Sequence, residues 1–240
     1  MADVQMKATF FLRVDHVEGA WRPRGRLQVF HVGGKVETFV CFRCGYPTRS
    51  KLQVIKDGNW DSGKRFVVLS PQMEDRQQPN ERSGSSVRDF IDFAKANYDI
   101  DVRRIYLTGL SGGGAPIYNY LGDYSGGEVA AVSPMAGWYS TQGKECSWKQ
   151  IPIWYFHSAL DNVVPPAQHS TLSFNTLSSC PQAAPVPPRY TMYKNLGHSA
   201  WGPTYDLTGM NATNYPLVAS PPGTTPYNVS LYDWFLQYSR

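Results

Sequence analysis

The sequence predicts an α/β fold with a mostly parallel central sheet and helices on both faces. Three observations predict it. Short apolar runs alternate with segments of helical periodicity along the chain. One of those runs leads directly into Gly109-Leu-Ser-Gly-Gly113 and then into a second helical pattern. Hydrophobic residues make up 42% of the chain, as in an ordinary globular domain, and 240 residues suffice for one α/β domain with a full core. No linker divides the sequence, so residues 1–240 read as a single domain.

The elements follow in order. Residues 8–14 and 27–31 read as strands, separated by a polar turn rich in Gly, Pro and Arg. Val32-Gly33-Gly34 breaks the second strand, and residues 35–63 carry no periodicity. Residues 65–70 form a buried-looking strand ended by Pro71. After a polar loop, Val87, Phe90, Ile91, Ala94 and Tyr98 fall on one helical face, and Ser86 with Asp89 resembles a capping box. The strand that enters Gly109 comes next, and a helix through Ile117 and Leu121 follows. Residues 128–133, 151–156 and 189–193 are the remaining strand candidates, with a helix over 167–177. Residues 181–188, with four prolines, read as a surface loop. Thr225 as N-cap and Pro226 at the first helical position open a closing helix that puts Leu231, Trp234, Phe235 and Tyr238 on one face.

Composition narrows the function. The net charge is +4 with Lys and Arg scattered, which does not imply nucleic acid. No 18-residue apolar run exists, so no membrane span is expected. Residues 1–7 lack the charged-then-apolar layout of a secretory leader. A cytoplasmic protein is expected, or a secreted one whose leader has been removed. Cys41-Phe-Arg-Cys44 has no second pair to complete a zinc site, so no metal is expected. A redox role for Cys41 and Cys44 is one reading; incidental thiols, or a Cys146–Cys180 bridge in an oxidising compartment, are favoured over it. Seven tryptophans suggest an aromatic-lined pocket as well as a core.

Gly-x-Ser-x-Gly between a strand and a helix carries a specific chemistry. The sharp turn strains the serine backbone, and small residues two positions either side make room for it. Ser111 would then stand at the carboxyl edge of the sheet as a nucleophile, with helix-start N–H groups facing developing negative charge. A serine at neutral pH needs a histidine base and a carboxylate to orient that base. His198 lies in the loop directly after the last strand, where the base belongs, and Asp161 follows the strand at 151–156. Asp206 competes for the acid role but comes after His198, which breaks the order serine, acid, histidine. Asp123 reads as a water-facing residue beyond the helix. His157 is expected to shape its own loop, and His169 to be a solvated helix residue. The oxyanion needs two donors: the N–H of Gly112, and one from the turn His31-Val-Gly33-Gly34. Trp138, Trp201 and Trp154 are candidates to line a pocket, each equally placed for a core role, and His31 stands with Trp138 and Trp201 as a substrate-binding candidate.

Together these stretches carry a resemblance. Pro71-Gln72 after a Val-Val strand, Arg104-Ile-Tyr-Leu-Thr-Gly-Leu-Ser-Gly-Gly, Phe156-His-x-x-x-Asp-x-x-Val-Pro, Gly197-His-x-x-Trp and Leu231-Tyr-Asp-Trp-Phe-Leu are similar to the polyhydroxybutyrate-depolymerase/feruloyl-esterase-like branch of the α/β-hydrolases. That branch also includes predicted peptidases, and the resemblance covers roughly residues 65–240. It implies an α/β-hydrolase fold and serine-ester hydrolysis without a cofactor, with Ser111, Asp161 and His198 as the triad. A small-molecule ester, of a short acyl or aromatic acid, is the implied substrate. A polyester, a peptide, or a non-turning-over ligand are the alternatives. Val32 interrupts the family's His-Gly-x-Gly, and residues 35–50 depart from its glycine-rich loop. Pro116 forfeits an N–H that a helix beginning at Ser111 would use.

Overall fold

Seven strands form one sheet in the order β2-β3-β1-β4-β5-β6-β7. They are β1 (Lys7–Val14), β2 (Val29–His31), β3 (Val67–Leu69), β4 (Ile100–Leu110), β5 (Ala131–Met135), β6 (Trp154–Ser158) and β7 (Arg189–Tyr193). The computed structural model describes residues 7–14, 29–31, 66–69, 83–98, 100–139 and 141–240. β4 to β7 are parallel to one another. β1 pairs antiparallel with both β3 and β4, so β3 runs with the parallel group while β1 and β2 run against it. The sheet is therefore mostly parallel in strand direction, as the alternation of apolar runs with helices predicts.

Alternation along the strands builds two cores. On one face Val67, Leu69, Ile105, Leu107, Tyr155 and Tyr190 pack with helices α1 (Gly84–Asn97), α2 (Gly114–Tyr124) and α3 (Ser170–Ser178). On the other, Phe66, Val68, Tyr106, Trp154, Phe156 and Tyr193 pack with α4 (Trp201–Tyr205) and α5 (Leu231–Leu236). Successive residues of one strand serve opposite faces because Cβ atoms alternate across a pleated sheet. Covering both faces is what permits the continuous apolar runs at 105–107 and 153–156.

Three local expectations are corrected. Helix α1 starts two residues earlier than Ser86, capped by Ser83, whose hydroxyl accepts the Ser86 N–H. The closing helix starts at Leu231, capped by Ser230, and not at Pro226. Thr225 instead pairs with β7: its N–H donates to the Tyr190 carbonyl, and its hydroxyl accepts the Tyr190 N–H. Trp154 is fully buried, with Nε1–H donating to the Thr191 hydroxyl and the Arg189 guanidinium 3.7 Å above its ring, so it belongs to the core and not to a pocket.

Cys146 and Cys180 form a disulfide that ties the turn at Glu145–Trp148 to the chain just beyond α3. Cys41 and Cys44 lie outside the described residues. No helix among the described residues is long and apolar enough to cross a membrane.

Candidate active site

Three loops at the carboxyl edge of the parallel strands meet at one point. The first is the turn from β4 into α2. Ser111 has φ of 53° and is buried, in a single helical turn over Ser111–Gly113. A left-handed serine costs about 1–3 kcal/mol and persists only where its surroundings hold it. The glycines are part of what holds it: a Cβ on Gly109 would overlap the Gly113 carbonyl, and one on Gly114 would sit 2.5 Å from the Gly137 Cα. That second approach lets the Trp138 N–H reach the Ser111 carbonyl at 2.9 Å. Pro116 stands in the first turn of α2, where an N–H has no intrahelical acceptor, and Gly114 donates to the Gly112 carbonyl in its place.

The second loop follows β6. Asp161 lies three residues past Ser158 and its carboxylate is buried. Oδ1 accepts the N–H groups of Val163 at 3.0 Å and Val164 at 2.9 Å. Oδ2 lies 2.7 Å from His198 Nδ1 and 3.2 Å from His157 Nε2. Burial by itself would raise the Asp161 pKa, but the hydrogen bonds from His157, His198 and Val164 outweigh it and hold the carboxyl well below the usual carboxylate range. Asp161 is therefore an anion at neutral pH.

The third loop follows β7. His198 Nε2 lies 2.7 Å from Ser111 Oγ while Nδ1 faces Asp161. An ionised carboxylate accepts only, so Nδ1 carries the proton and Nε2 is left as the acceptor for the Ser111 hydroxyl. Trp201, the first residue of α4, stands edge-on to the imidazole at 5.0 Å between ring centres. The structure thus brings together Ser111, His198 and Asp161. Nothing comparable happens at the competing carboxylates. Asp206 caps its own turn by accepting the Thr208 N–H, and Asp123 is paired with Lys144 in the last turn of α2.

Other residues fall differently from expectation. Gly112 is buried at the helix start after the nucleophile, where its N–H has no helical acceptor. Gly33 and Gly34 lie outside the described residues. The backbone of His31 is opposite Val67, and β1 places Val67 level with Ile105, well before Ser111 along β4. Because β2 runs against the parallel strands, it reaches His31 at the edge away from Ser111, so the expectation of His31 beside the site is not met.

Trp138 is 51% exposed, and its ring packs 5.7 Å from that of His169. His169 is half-buried at the start of α3, not solvated, and its Nδ1 accepts the Tyr139 N–H at 3.1 Å. Burial first, and then nearby His157, push its pKa down, so it is a neutral ring. Sequence reasoning missed this pairing because the two residues are far apart in the chain. Leu160 and Val163, on either side of Asp161 in the loop, are also exposed. Among the described residues no group of three His, Cys, Asp or Glu side chains is placed to hold a metal ion.

The four parallel strands β4–β7, the left-handed serine at the turn from β4 into α2 and the helices on both faces fit an α/β-hydrolase fold. Within that fold the chain is similar to esterases. It is 28% identical over 121 residues to a bifunctional acetylxylan esterase/xylanase of Neocallimastix patriciarum, a match covering 49% of this chain and 18% of that protein. The chain thus spans about a fifth of that relative's length. Among solved structures it resembles a thermostable esterase with a TM-score of 0.48 and 28% identity, over 65% of this chain and 36% of the other. It also resembles the esterase domain of a Rhodothermus marinus protein, with a TM-score of 0.39 and 18% identity, over 55% and 69% of the two chains. No family model matches the chain.

Proposed function

We propose that the protein is a serine carboxylic-ester hydrolase working through an acyl-enzyme. The observation that carries this reading is the unbroken hydrogen-bonded line Ser111–His198–Asp161, each link 2.7 Å long. Ser111 Oγ attacks the acyl carbon while His198 Nε2 takes its proton. Asp161 holds the proton-bearing Nδ1 and stabilises the imidazolium that forms. His198 then gives the proton to the departing alkoxide oxygen, leaving the acyl group on Ser111. In the second half water repeats the attack with His198 again as base, and the carboxylic acid leaves. The Gly112 N–H, which has no helical acceptor at the start of the turn, is the oxyanion donor in this reading. No cofactor takes part.

The similarity to esterases supports ester chemistry, and an acetylated sugar of the kind named for the Neocallimastix relative fits a small acyl group. Trp138, open to solvent and tied through its N–H to the nucleophile's carbonyl, supplies a flat surface for an aromatic acyl group or a sugar ring. The test is hydrolysis of a p-nitrophenyl ester series from acetyl to dodecanoyl by the wild type and Ser111→Ala. Turnover by the wild type with a loss on the order of 10⁴-fold or more in the variant supports the reading. Equal rates in the two proteins overturn it.

A further inference from the structure

We propose that His157 is a positioning residue for Asp161 and, through it, sets the basicity of His198; this rests on the triad reading above. His157 is fully buried one residue before the end of β6. Its Nε2 faces two acceptors, the Val164 carbonyl at 2.8 Å and Asp161 Oδ2 at 3.2 Å. Two acceptors oblige Nε2 to carry the proton. Nδ1 is then the acceptor, and the Ser170 hydroxyl, 2.8 Å away at the start of α3, donates to it. The tautomer is thus fixed from the far side of the ring by a residue that touches neither Asp161 nor Ser111.

The consequence for Asp161 is specific. Its two oxygens together accept from two backbone N–H groups and two imidazoles. The oxygen facing His198 is the one that His157 also contacts. Each added donor disperses negative charge and makes that oxygen a weaker acceptor for His198. With His157 present, the imidazolium of His198 gains less from Asp161 as it forms. Asp161 also acts electrostatically on His169 and on the Tyr190 hydroxyl. His157 also spans the loop, joining β6 to the Val164 backbone, which fixes the carboxylate's direction.

His157→Leu and His157→Gln test this, with Ser170→Ala as a milder variant that frees the tautomer without touching the loop. In His157→Leu, kcat is expected to fall about 10–100-fold, the worth of one hydrogen bond to a charged group. KM should stay nearly constant, and the acid limb of kcat/KM should move to higher pH. Gln, which can present an N–H near the Nε2 position, should restore most of kcat and the original limb. Ser170→Ala should move the limb the same way by less. NMR titration of the His198 imidazole reads the same displacement without any substrate, so it separates this proposal from the esterase reading. A His198 titration unchanged in both His157→Leu and Ser170→Ala overturns the proposal. So does equal loss in the Leu and Gln variants with a lowered Tm and an unmoved limb, since that would be packing alone.

Discussion

Gly114→Ala perturbs the site from behind, without touching a reacting atom. The new Cβ would lie 2.5 Å from the Gly137 Cα, and 3.1 Å from both the Gly137 carbonyl carbon and the Trp138 nitrogen. All three are backbone atoms, so no side chain can swing aside. Carbon atoms in contact settle at about 3.5–4.0 Å, which requires the two backbones to part by about 1 Å. Overpacking of that kind costs about 1–3 kcal/mol. The parting also stretches the bond from the Trp138 N–H to the Ser111 carbonyl, now 2.9 Å, and so loosens the left-handed serine. A shift of about 1 Å in a catalytic group can cost about 10²-fold in rate. Urea denaturation gives the stability, and kcat/KM on p-nitrophenyl acetate gives the rate. Gly197→Ala, where a Cβ meets nothing within 4 Å, is the control and should change neither. An unchanged urea midpoint in Gly114→Ala would refute the packing argument. A lowered midpoint with full activity would refute its link to Ser111.

Three further outcomes are expected. Cys146→Ser with Cys180→Ser should lower stability by about 3–4 kcal/mol, the loop-closure value for a separation of 34 residues, and a urea midpoint unchanged from the oxidised wild type contradicts it. Glu145 is buried, its Oε2 has no partner, and burial raises its pKa above 4.5. Its neutral form is favoured in the folded state, so stability is lost as pH rises from the unfolded pKa through the raised folded one. Glu145→Gln removes that loss, and its Tm advantage should open as pH rises above about 4.3, the ordinary glutamate value, and the acid ionises; a gap independent of pH contradicts it. Trp138→Ala should lower kcat/KM on aryl acyl esters by up to about tenfold, mainly through KM, with little change in Tm, because an aromatic contact is worth about 0.5–1.5 kcal/mol. A variant indistinguishable from wild type across the ester series removes Trp138 from the binding surface.

Local chemistry made much of this legible from residues alone. The strand-turn-helix around Ser111 declares itself because a left-handed serine needs small neighbours, and Gly109 and Gly113 are written into the chain. Asp161 and His198 could be picked out by chain order, each standing just past an apolar run, and the structure sets them within hydrogen-bond reach of one another. Long-range pairing hid the rest. Thr225-Pro226 has the local signature of a helix start, yet Thr225 is held extended against Tyr190, a contact with no trace in the local sequence. His169 sits in a helical stretch, and only the return of Tyr139 to its Nδ1 buries it. The triple glycine reads as a nucleophile turn, but the need for Gly114 comes from Gly137 in another loop. His157 looks like a loop histidine until Ser170, Val164 and Asp161 are seen around both its nitrogens.

The most direct measurement is covalent labelling of the intact protein with a fluorophosphonate, followed by peptide mapping. An activated Ser111 should carry the adduct, and His198→Ala should slow labelling by on the order of 10³-fold or more, since the hydroxyl loses its base. No adduct on Ser111, or one formed equally fast without His198, would contradict the nucleophile at the centre of this reading.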